Sequence, residues 1–183
     1  SSGLFVGVGG SGTIVTSSDG STLDTRTSGT TQSLTGVTYG NGLYVAVGGG
    51  GTILTSSDGI TWSIRTPGTV NCCNGVAYGN GTFVGVGAYG VILSSTDGIT
   101  WTDRSVTYDG NSSLLNISYG NGLFVAVGYR GVQYISSDGI TWTSINTRDN
   151  GIGNMIYGVT YGNGLYVAVG GGGTILTSSD GIT

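Results

Sequence analysis

Residues 36–61 read GVTYGNGLYVAVGGGGTILTSSDGIT, and the same 26 letters return without a change at residues 158–183. Looser copies fill the rest of the chain, because its Asp-Gly turns recur at separations of 39, 39, 41 and 42 residues. A fixed period of this size is typical of repeated supersecondary units. The sequence therefore predicts one domain over 1–183 that is built from repeats 1–34, 35–73, 74–114, 115–156 and 157–183.

Each repeat is predicted to form four short strands, which in the second repeat cover residues 36–39, 43–47, 52–56 and 61–65. The pair Asn41-Gly42 between the first two strands is a type I′ hairpin signal, since both residues take positive φ at low cost. The second strand is almost entirely apolar, as expected for a sheet that is covered on both faces. We therefore predict an all-β fold, a β-propeller of about five four-stranded antiparallel blades.

The first and last blades are predicted to be incomplete. The first strand of repeat one and the fourth strand of repeat five are missing from the sequence. Three explanations are open: the sequence is a fragment of a longer protein, one blade is thin, or a neighbouring molecule supplies strands to the exposed edges.

Residues 57–62 read SDGITW and recur with small changes around Asp97 and Asp138. They resemble the Asp-box of sialidase-like β-propellers, normally Ser-x-Asp-x-Gly-x-Thr-Trp, with one residue fewer between Asp and Gly. The phrase YGNGLYVAVG is similar to non-catalytic repeat proteins of that class in bacteria and phages. The resemblance covers the whole chain and implies that each Asp accepts backbone N–H hydrogen bonds in its turn. The implied structural turn residues are Asp19, Asp58, Asp97, Asp138 and Asp180.

One large apolar side chain follows four of these turns at the same repeat position. A large side chain there is predicted to fill the gap between neighbouring blades. The predicted blade-packing residues are Leu23, Trp62, Trp101 and Trp142.

The charged residues are Asp and Arg alone, and they give a net charge of −4. An acidic chain repels phosphate backbones, so we expect no nucleic-acid partner. No apolar stretch approaches the roughly 20 residues that span a bilayer, so we expect no membrane insertion. The adjacent cysteines Cys72 and Cys73 are expected to be unpaired, because neighbouring residues are poorly placed for a disulfide.

The sequence contains no Glu, Lys or His, which removes the common general bases at neutral pH. Sialidase-like hydrolysis is not expected, because it needs a glutamate. We predict that the chain is not an enzyme and that it uses neither a metal nor another cofactor. A glycoside hydrolase built on Asp103, Asp109 and Asp149 is the weakest alternative.

Antiparallel strands place the turns 1–2 and 3–4 of every repeat on one face, and the turns 2–3 and connections 4–1 on the other. The first face carries constant turns, whereas the second carries residues that differ from repeat to repeat. Variation confined to one face of a repeat protein favours a recognition surface there. The candidate ligand-binding residues on it are Tyr89, Tyr108, Asp109, Tyr129 and Arg130.

These features predict an extracellular or particle-surface module that binds glycans or proteins through its variable loops. The alternative is a structural subunit of a filament, fibre or virion appendage, whose blades are completed by neighbouring subunits, with copies of itself among the candidate partners.

Overall fold

The computed structural model describes residues 3–66, 73–106, 113–145 and 154–182. These residues form five antiparallel sheets, which we number in chain order as blades 1 to 5. Blade 1 contains β1 (Phe5–Val8), β2 (Ile14–Ser17) and β3 (Asp24–Arg26). Blade 2 contains β4 (Leu34–Gly40), β5 (Leu43–Gly48), β6 (Thr52–Ser56) and β7 (Ser63–Arg65).

Blade 3 contains β8 (Gly75–Gly79), β9 (Thr82–Val86), β10 (Ile92–Ser95) and β11 (Thr102–Asp103). Blade 4 contains β12 (Leu114–Gly120), β13 (Leu123–Gly128), β14 (Gln133–Ser136) and β15 (Thr143–Ile145). Blade 5 contains β16 (Ile156–Gly162), β17 (Leu165–Gly170) and β18 (Ile175–Ser178). The predicted all-β architecture is confirmed, with three-stranded first and last sheets in the described part of the chain.

The hairpin between β4 and β5 has φ of 48° at Asn41 and 76° at Gly42, as a type I′ turn requires. The first strand is longer than predicted and contains a register shift between Leu34 and Gly36. The fourth strand is shorter and begins at Ser63, because the preceding residues belong to the Asp turn. The sequence therefore located every strand of this blade but misplaced four of their ends by one or two residues.

Apolar side chains are buried between successive blades. Val6, Val8 and Ile14 of blade 1 pack with Ala46 and Leu54 of blade 2. Three further clusters join blade 2 to blade 3, blade 3 to blade 4 and blade 4 to blade 5. We call the side of a blade toward the preceding blade its front face and the opposite side its back face. Among the described residues, no core cluster joins blade 5 back to blade 1.

The first strands of blades 2 to 5 lie side by side. The Thr35 hydroxyl donates a hydrogen bond of 3.0 Å to the carbonyl oxygen of Cys73 in the next blade. The Asn74 amide likewise donates to the carbonyl oxygen of Leu114 at 2.8 Å. These bonds connect blade 2 to blade 3 and blade 3 to blade 4 beside the inner strands.

Trp62, Trp101 and Trp142 lie on the front faces of their blades and pack against the clusters shared with the preceding blade. Leu23 holds the same repeat position in blade 1 but is 63% exposed. Within the described chain Leu23 belongs to no core cluster, so its packing role stays a prediction.

Cys73 is buried and takes part in a disulfide bond, which corrects the expectation of unpaired cysteines. Cys72, the other cysteine of the chain, lies outside the described residues. Within the described ranges, no helix has the length and apolar character needed to cross a membrane.

Candidate functional site

Because all paired strands run antiparallel, the connections of each blade separate onto two faces. The turn face carries the hairpins 1–2 and the Asp turns 3–4. The variable face carries the connections 4–1 and five short 3-10 turns between strands 2 and 3. Those turns are Gly10–Gly12, Gly49–Gly51, Ala88–Gly90, Tyr129–Gly131 and Gly171–Gly173.

On the turn face, each Asp is held in a local hydrogen-bond network. The Oδ1 of Asp58 accepts from the backbone N–H groups of Ile60 and Thr61, both at 2.8 Å. The Ser56 hydroxyl donates to the same oxygen at 2.9 Å and accepts from the N–H of Gly59 at 2.8 Å. Ser56, two residues before the Asp, is therefore the serine that hydrogen-bonds to the carboxylate. The sequence motif as quoted, residues 57–62, did not include it. The same Ser-to-Asp bond recurs at Asp19, Asp97, Asp138 and Asp180.

These donors stabilise the ionised carboxylates. The N–H groups of Thr61 and Ile60, followed by the Ser56 hydroxyl, lower the pKa of Asp58 to about 2. Equivalent bonds lower the pKa of Asp97 and that of Asp138 to about 2. A carboxylate with so low a pKa is a weak general base, so these turns are suited to structure and poorly suited to proton transfer.

The other described acidic groups also have local partners. Asp24 forms an ion pair of 2.9 Å with Arg26. Asp103 accepts from the hydroxyl and the N–H of Ser105, and these bonds lower the pKa of Asp103. Asp109 and Asp149, the remaining members of the hydrolase alternative, lie outside the described residues, so that alternative stays a prediction.

Three arginines at one repeat position brace the outer edge of their own blades. The Nε of Arg26 donates to the Thr16 hydroxyl at 2.8 Å, and the Nε of Arg65 donates to the Thr55 hydroxyl at 2.9 Å. Arg104 makes the equivalent bond to Ser94 at 3.1 Å. These hydrogen bonds link the end of each blade to its third strand. Arg130 differs from these three arginines because it lies in a 3-10 turn on the variable face.

On the variable face, the central residue of each 3-10 turn is in the left-handed region. The φ values are 65° at Gly50 and 66° at Gly172, which glycine adopts without strain. The same position holds Ser11 with φ 53°, Tyr89 with φ 58° and Arg130 with φ 55°. A side chain with a Cβ in this conformation costs about 1–2 kcal/mol. Blades 1, 3 and 4 therefore carry a side chain at a position where glycine would be more stable.

Tyr89 and Arg130 project from neighbouring blades on this face. Tyr89 is 66% exposed, Tyr129 is 41% exposed and Arg130 is exposed as well. Among the described residues, Arg130 forms no ion pair. Two aromatic rings and one free cation therefore face solvent on the same side of blades 3 and 4. The other two candidate residues, Tyr108 and Asp109, lie outside the described part of the chain.

Backbone hydrogen bonds fix these turns. The N–H of Tyr129 donates to the carbonyl oxygen of Ser113 at 3.0 Å, in the connection that precedes β12. In blade 3, the N–H of Val106 donates to the carbonyl oxygen of Gly90 at 3.2 Å. Each 3-10 turn is thus anchored to a connection 4–1, so its exposed side chain starts from a fixed backbone.

A shallow cavity of about 670 Å³ lies on the same face at blade 1. Its lining includes the polar residues Ser11, Arg26, Thr30 and Gln32. This cavity belongs to blade 1, whereas Tyr89 and Tyr129 belong to blades 3 and 4.

No protein-family model matches the chain, and no curated protein sequence does. Solved structures do match. The structure of YCF48 bound to D1 peptide superposes with a TM-score of 0.69 at 20% identity, over 94% of this chain and 59% of that chain. The nidogen/laminin complex superposes with a TM-score of 0.70 at 12% identity, over 92% of this chain and 68% of that chain. The fold is a β-propeller.

YCF48 from Cyanidioschyzon merolae matches this propeller with a TM-score of 0.61 at 22% identity, over 80% of this chain and 53% of that chain. The chain thus spans between half and three fifths of the length of the two YCF48 structures. At these identities the similarity establishes the fold alone. The membership in the Asp-box class that the sequence implies stays a prediction.

Proposed function

We propose that this propeller is a non-catalytic module that binds a protein segment through its variable face. The observation that carries the proposal is the presence of Tyr89 and Arg130 at left-handed positions where blades 2 and 5 have glycine. Each substitution sacrifices about 1–2 kcal/mol of conformational energy. Backbone strain that persists at an exposed position favours a functional role for the side chain.

The exposed side chains of Tyr89, Tyr129 and Arg130, which we call the blade 3–4 patch, fit a protein ligand. Tyr and Arg are the residue types that most often dominate binding energy at protein interfaces. A rigid turn loses little conformational freedom on binding, which raises affinity for a given contact. Arg130 without an ion pair in the described chain favours a segment that carries a carboxylate. The chain as a whole has a net charge of −4, so the exposed Arg130 is a positively charged group on an acidic protein.

The structural neighbours support a protein partner over a glycan. One of them is described as bound to a D1 peptide and another as a nidogen/laminin complex. The proposed location is extracellular or on the surface of a cell or virus particle.

A random-peptide phage library selected on the immobilised chain tests the proposal, with a glycan array run in parallel. Calorimetry then compares the strongest selected peptide on the wild type and on Tyr89→Gly, Arg130→Gly and Ser11→Gly. We expect Tyr89→Gly to weaken binding by roughly 30-fold or more, as for an interface hot spot. Ser11→Gly changes the same turn position in blade 1 and is the matched control, with unchanged affinity.

Glycine at these positions also relieves strain, so thermal unfolding provides a second readout. Both Tyr89→Gly and Arg130→Gly are expected to be more stable than the wild type by about 1 kcal/mol while binding less tightly. Peptides that bind all variants equally would contradict the proposal. Ligands found only on the glycan array would replace the protein partner by a sugar.

A further inference from the structure

A small cavity, which we call the Thr82 cavity, lies between the back face of blade 3 and the Asp turn of blade 4. Its volume is about 180 Å³. Clefts for drug-sized ligands start at roughly 300 Å³, so this cavity suits a smaller group. Blades 3 and 4 each have a described blade on either side, so both walls are complete. The side chains that matter for its chemistry are Thr82, Ser94, Asp97, Thr102, Arg104 and Ile140.

Blade 3 carries a shorter side chain than its neighbours at the first position of its second strand. Blades 2 and 4 have Leu43 and Leu123 there, whereas blade 3 has Thr82. A Cβ added to Gly98, in the Asp turn behind blade 2, would lie 2.6 Å from Cδ2 of Leu43. The equivalent Cβ on Gly139, behind blade 3, would lie 3.2 Å from Cγ2 of Thr82. The change from leucine to threonine therefore removes the end of an apolar side chain and places a hydroxyl beside the space.

Two polar side chains of the cavity have hydrogen-bonding capacity that the described chain does not use. Thr82 is 8% exposed, and its hydroxyl forms no hydrogen bond with a described residue. The Nε of Arg104 is bonded within blade 3, but its two Nη groups have no partner among the described residues. In blade 1, by contrast, Asp24 accepts from an Nη of Arg26 at 2.9 Å, and the position of Asp24 is Thr102 in blade 3. A buried hydroxyl and an unpaired guanidinium thus line the same cavity.

An acceptor complements these donors. Asp97 accepts three hydrogen bonds from described residues, all at Oδ1, so its Oδ2 is available to a ligand. The Asp97 carboxylate and the Arg104 guanidinium have opposite charges, so the lining attracts neither a simple anion nor a simple cation strongly. Ile140 of the facing Asp turn is 49% exposed and adds an apolar contact. The lining therefore suits a neutral ligand that both donates and accepts hydrogen bonds.

We propose that the Thr82 cavity binds one pyranose ring of a neutral glycan. Hydroxyl groups on adjacent ring carbons accept hydrogen bonds from the Nη groups of Arg104 and the hydroxyl of Thr82, and donate to Oδ2 of Asp97. The C–H groups of the ring contact the apolar side chain of Ile140. A serine or threonine side chain of a peptide offers one hydroxyl only, so it satisfies fewer of these groups than a sugar does.

The repeat predicts one such site among the described blades. Blade 2 combines Leu43 with Arg65, and blade 4 combines Leu123 with Ile145, at the positions that hold Thr82 and Arg104 in blade 3. The Thr82 cavity lies beside an Asp turn of the turn face, whereas the blade 3–4 patch lies in 3-10 turns of the variable face. Sugar binding and protein binding are therefore separable by mutation.

Ligand-observed NMR on the full chain tests the site. The probes are the methyl glycosides of glucose, galactose, mannose and N-acetylglucosamine, with inorganic sulfate as the probe for a simple anion site. Thr82→Leu installs the residue of the neighbouring blades and fills the cavity. We expect this variant to keep the melting temperature of the wild type or to exceed it, because filling a cavity stabilises a fold. We expect it to lose glycoside binding.

Arg104→Gln and Arg65→Gln form a matched pair. Both replacements remove an Nε bond to the third strand of the blade, at 3.1 Å for Arg104 and 2.9 Å for Arg65. In blade 2, however, Leu43 stands where blade 3 has Thr82. We expect Arg104→Gln to weaken glycoside binding about tenfold or more, since a charged donor is lost. We expect Arg65→Gln to bind as the wild type does.

Three results overturn the proposal: no glycoside binds the wild type at millimolar concentration, binding survives in Thr82→Leu, or the two arginine variants lose binding equally. Sulfate that binds in place of the glycosides, with the same dependence on the variants, overturns the assignment to a sugar. If Arg104→Gln fails to fold, Thr82→Leu alone decides. Tyr89→Gly should leave glycoside binding unchanged while it weakens the selected peptide, so failure of the sugar site is distinguishable from failure of the protein-binding patch.

Discussion

Replacing Gly79 by alanine tests how tightly successive blades are stacked. Gly79 ends β8, and the ring of Tyr119 from the next blade lies directly over it. An added Cβ would lie 2.1 Å from Cγ of Tyr119 and 2.3 Å from each Cδ. An ordinary carbon–carbon contact is about 3.5–4.0 Å, so the ring must move by more than about 1 Å.

The Tyr119 ring has little room to move. It contacts the tilted ring of Phe124 with ring centroids 4.6 Å apart, and it packs against the core between blades 3 and 4. Overpacking of this kind costs about 1–3 kcal/mol. In a domain of this size 1 kcal/mol corresponds to about 2–4 °C, so we expect the melting temperature to fall by roughly 2–12 °C.

Gly162 provides the matched control, because it stands in the same Tyr-Gly-Asn-Gly motif with nothing within 4 Å of its added Cβ. Thermal and urea unfolding of Gly79→Ala and Gly162→Ala measure the difference directly. We expect Gly162→Ala to be neutral or slightly stabilising, since alanine restricts the unfolded chain. Equal stability of the two variants would refute the proposed stacking of Tyr119 on Gly79.

Three further outcomes follow from the same geometry. Ile53→Ala is expected to lose about 2–5 kcal/mol, whereas Ile175→Ala in dilute solution loses less than about 0.5 kcal/mol; urea unfolding that gives equal losses would contradict this. Trp101→Phe removes the hydrogen bond of 3.1 Å that the indole Nε1 donates to the carbonyl oxygen of Gly98. The buried Nε1 of Trp142 has no hydrogen-bond partner among the described residues. Trp101→Phe should therefore cost about 1 kcal/mol more than Trp142→Phe in the same assay. Because the folded pKa of Asp58 is about 2 against an ordinary 3.8, its stabilisation is complete above pH 3.8 and is lost as the pH falls through 2. Asp58→Asn should make the free energy of unfolding depend less on pH between about 4 and 2. An unchanged dependence would contradict the stabilising role of the Asp58 carboxylate.

The fold was predictable because repeated turn chemistry fixes it locally. Asn41-Gly42 dictates a type I′ hairpin, and a period near 40 residues dictates a blade for each repeat. The ends of the strands were less predictable. Thr61 is assigned to a strand by its sequence pattern, but its N–H is used by Asp58 in the turn. The competing hydrogen bond is local, so only knowledge of the Asp-turn geometry would have revealed it.

The site was predictable in outline, since variation within one chain pointed to the variable face. The left-handed conformation of Tyr89 and Arg130 was missed. A signal was present, because Gly50 and Gly172 occupy the same repeat position and glycine marks positive φ. The exposure of Leu23 was not predictable from its repeat position, because burial depends on a neighbouring blade and not on the residue itself.

The central position of the 3-10 turn has a consequence for how such a protein changes over generations. Its backbone is fixed by hydrogen bonds that involve no side chain at that position, so the strain of a substitution is nearly the same in every blade. Duplication of a glycine-bearing repeat supplies an unstrained starting copy, and a single codon change then adds a new contact group. In a propeller built in this way, one exposed position in each blade can vary while the rest of the blade stays constant.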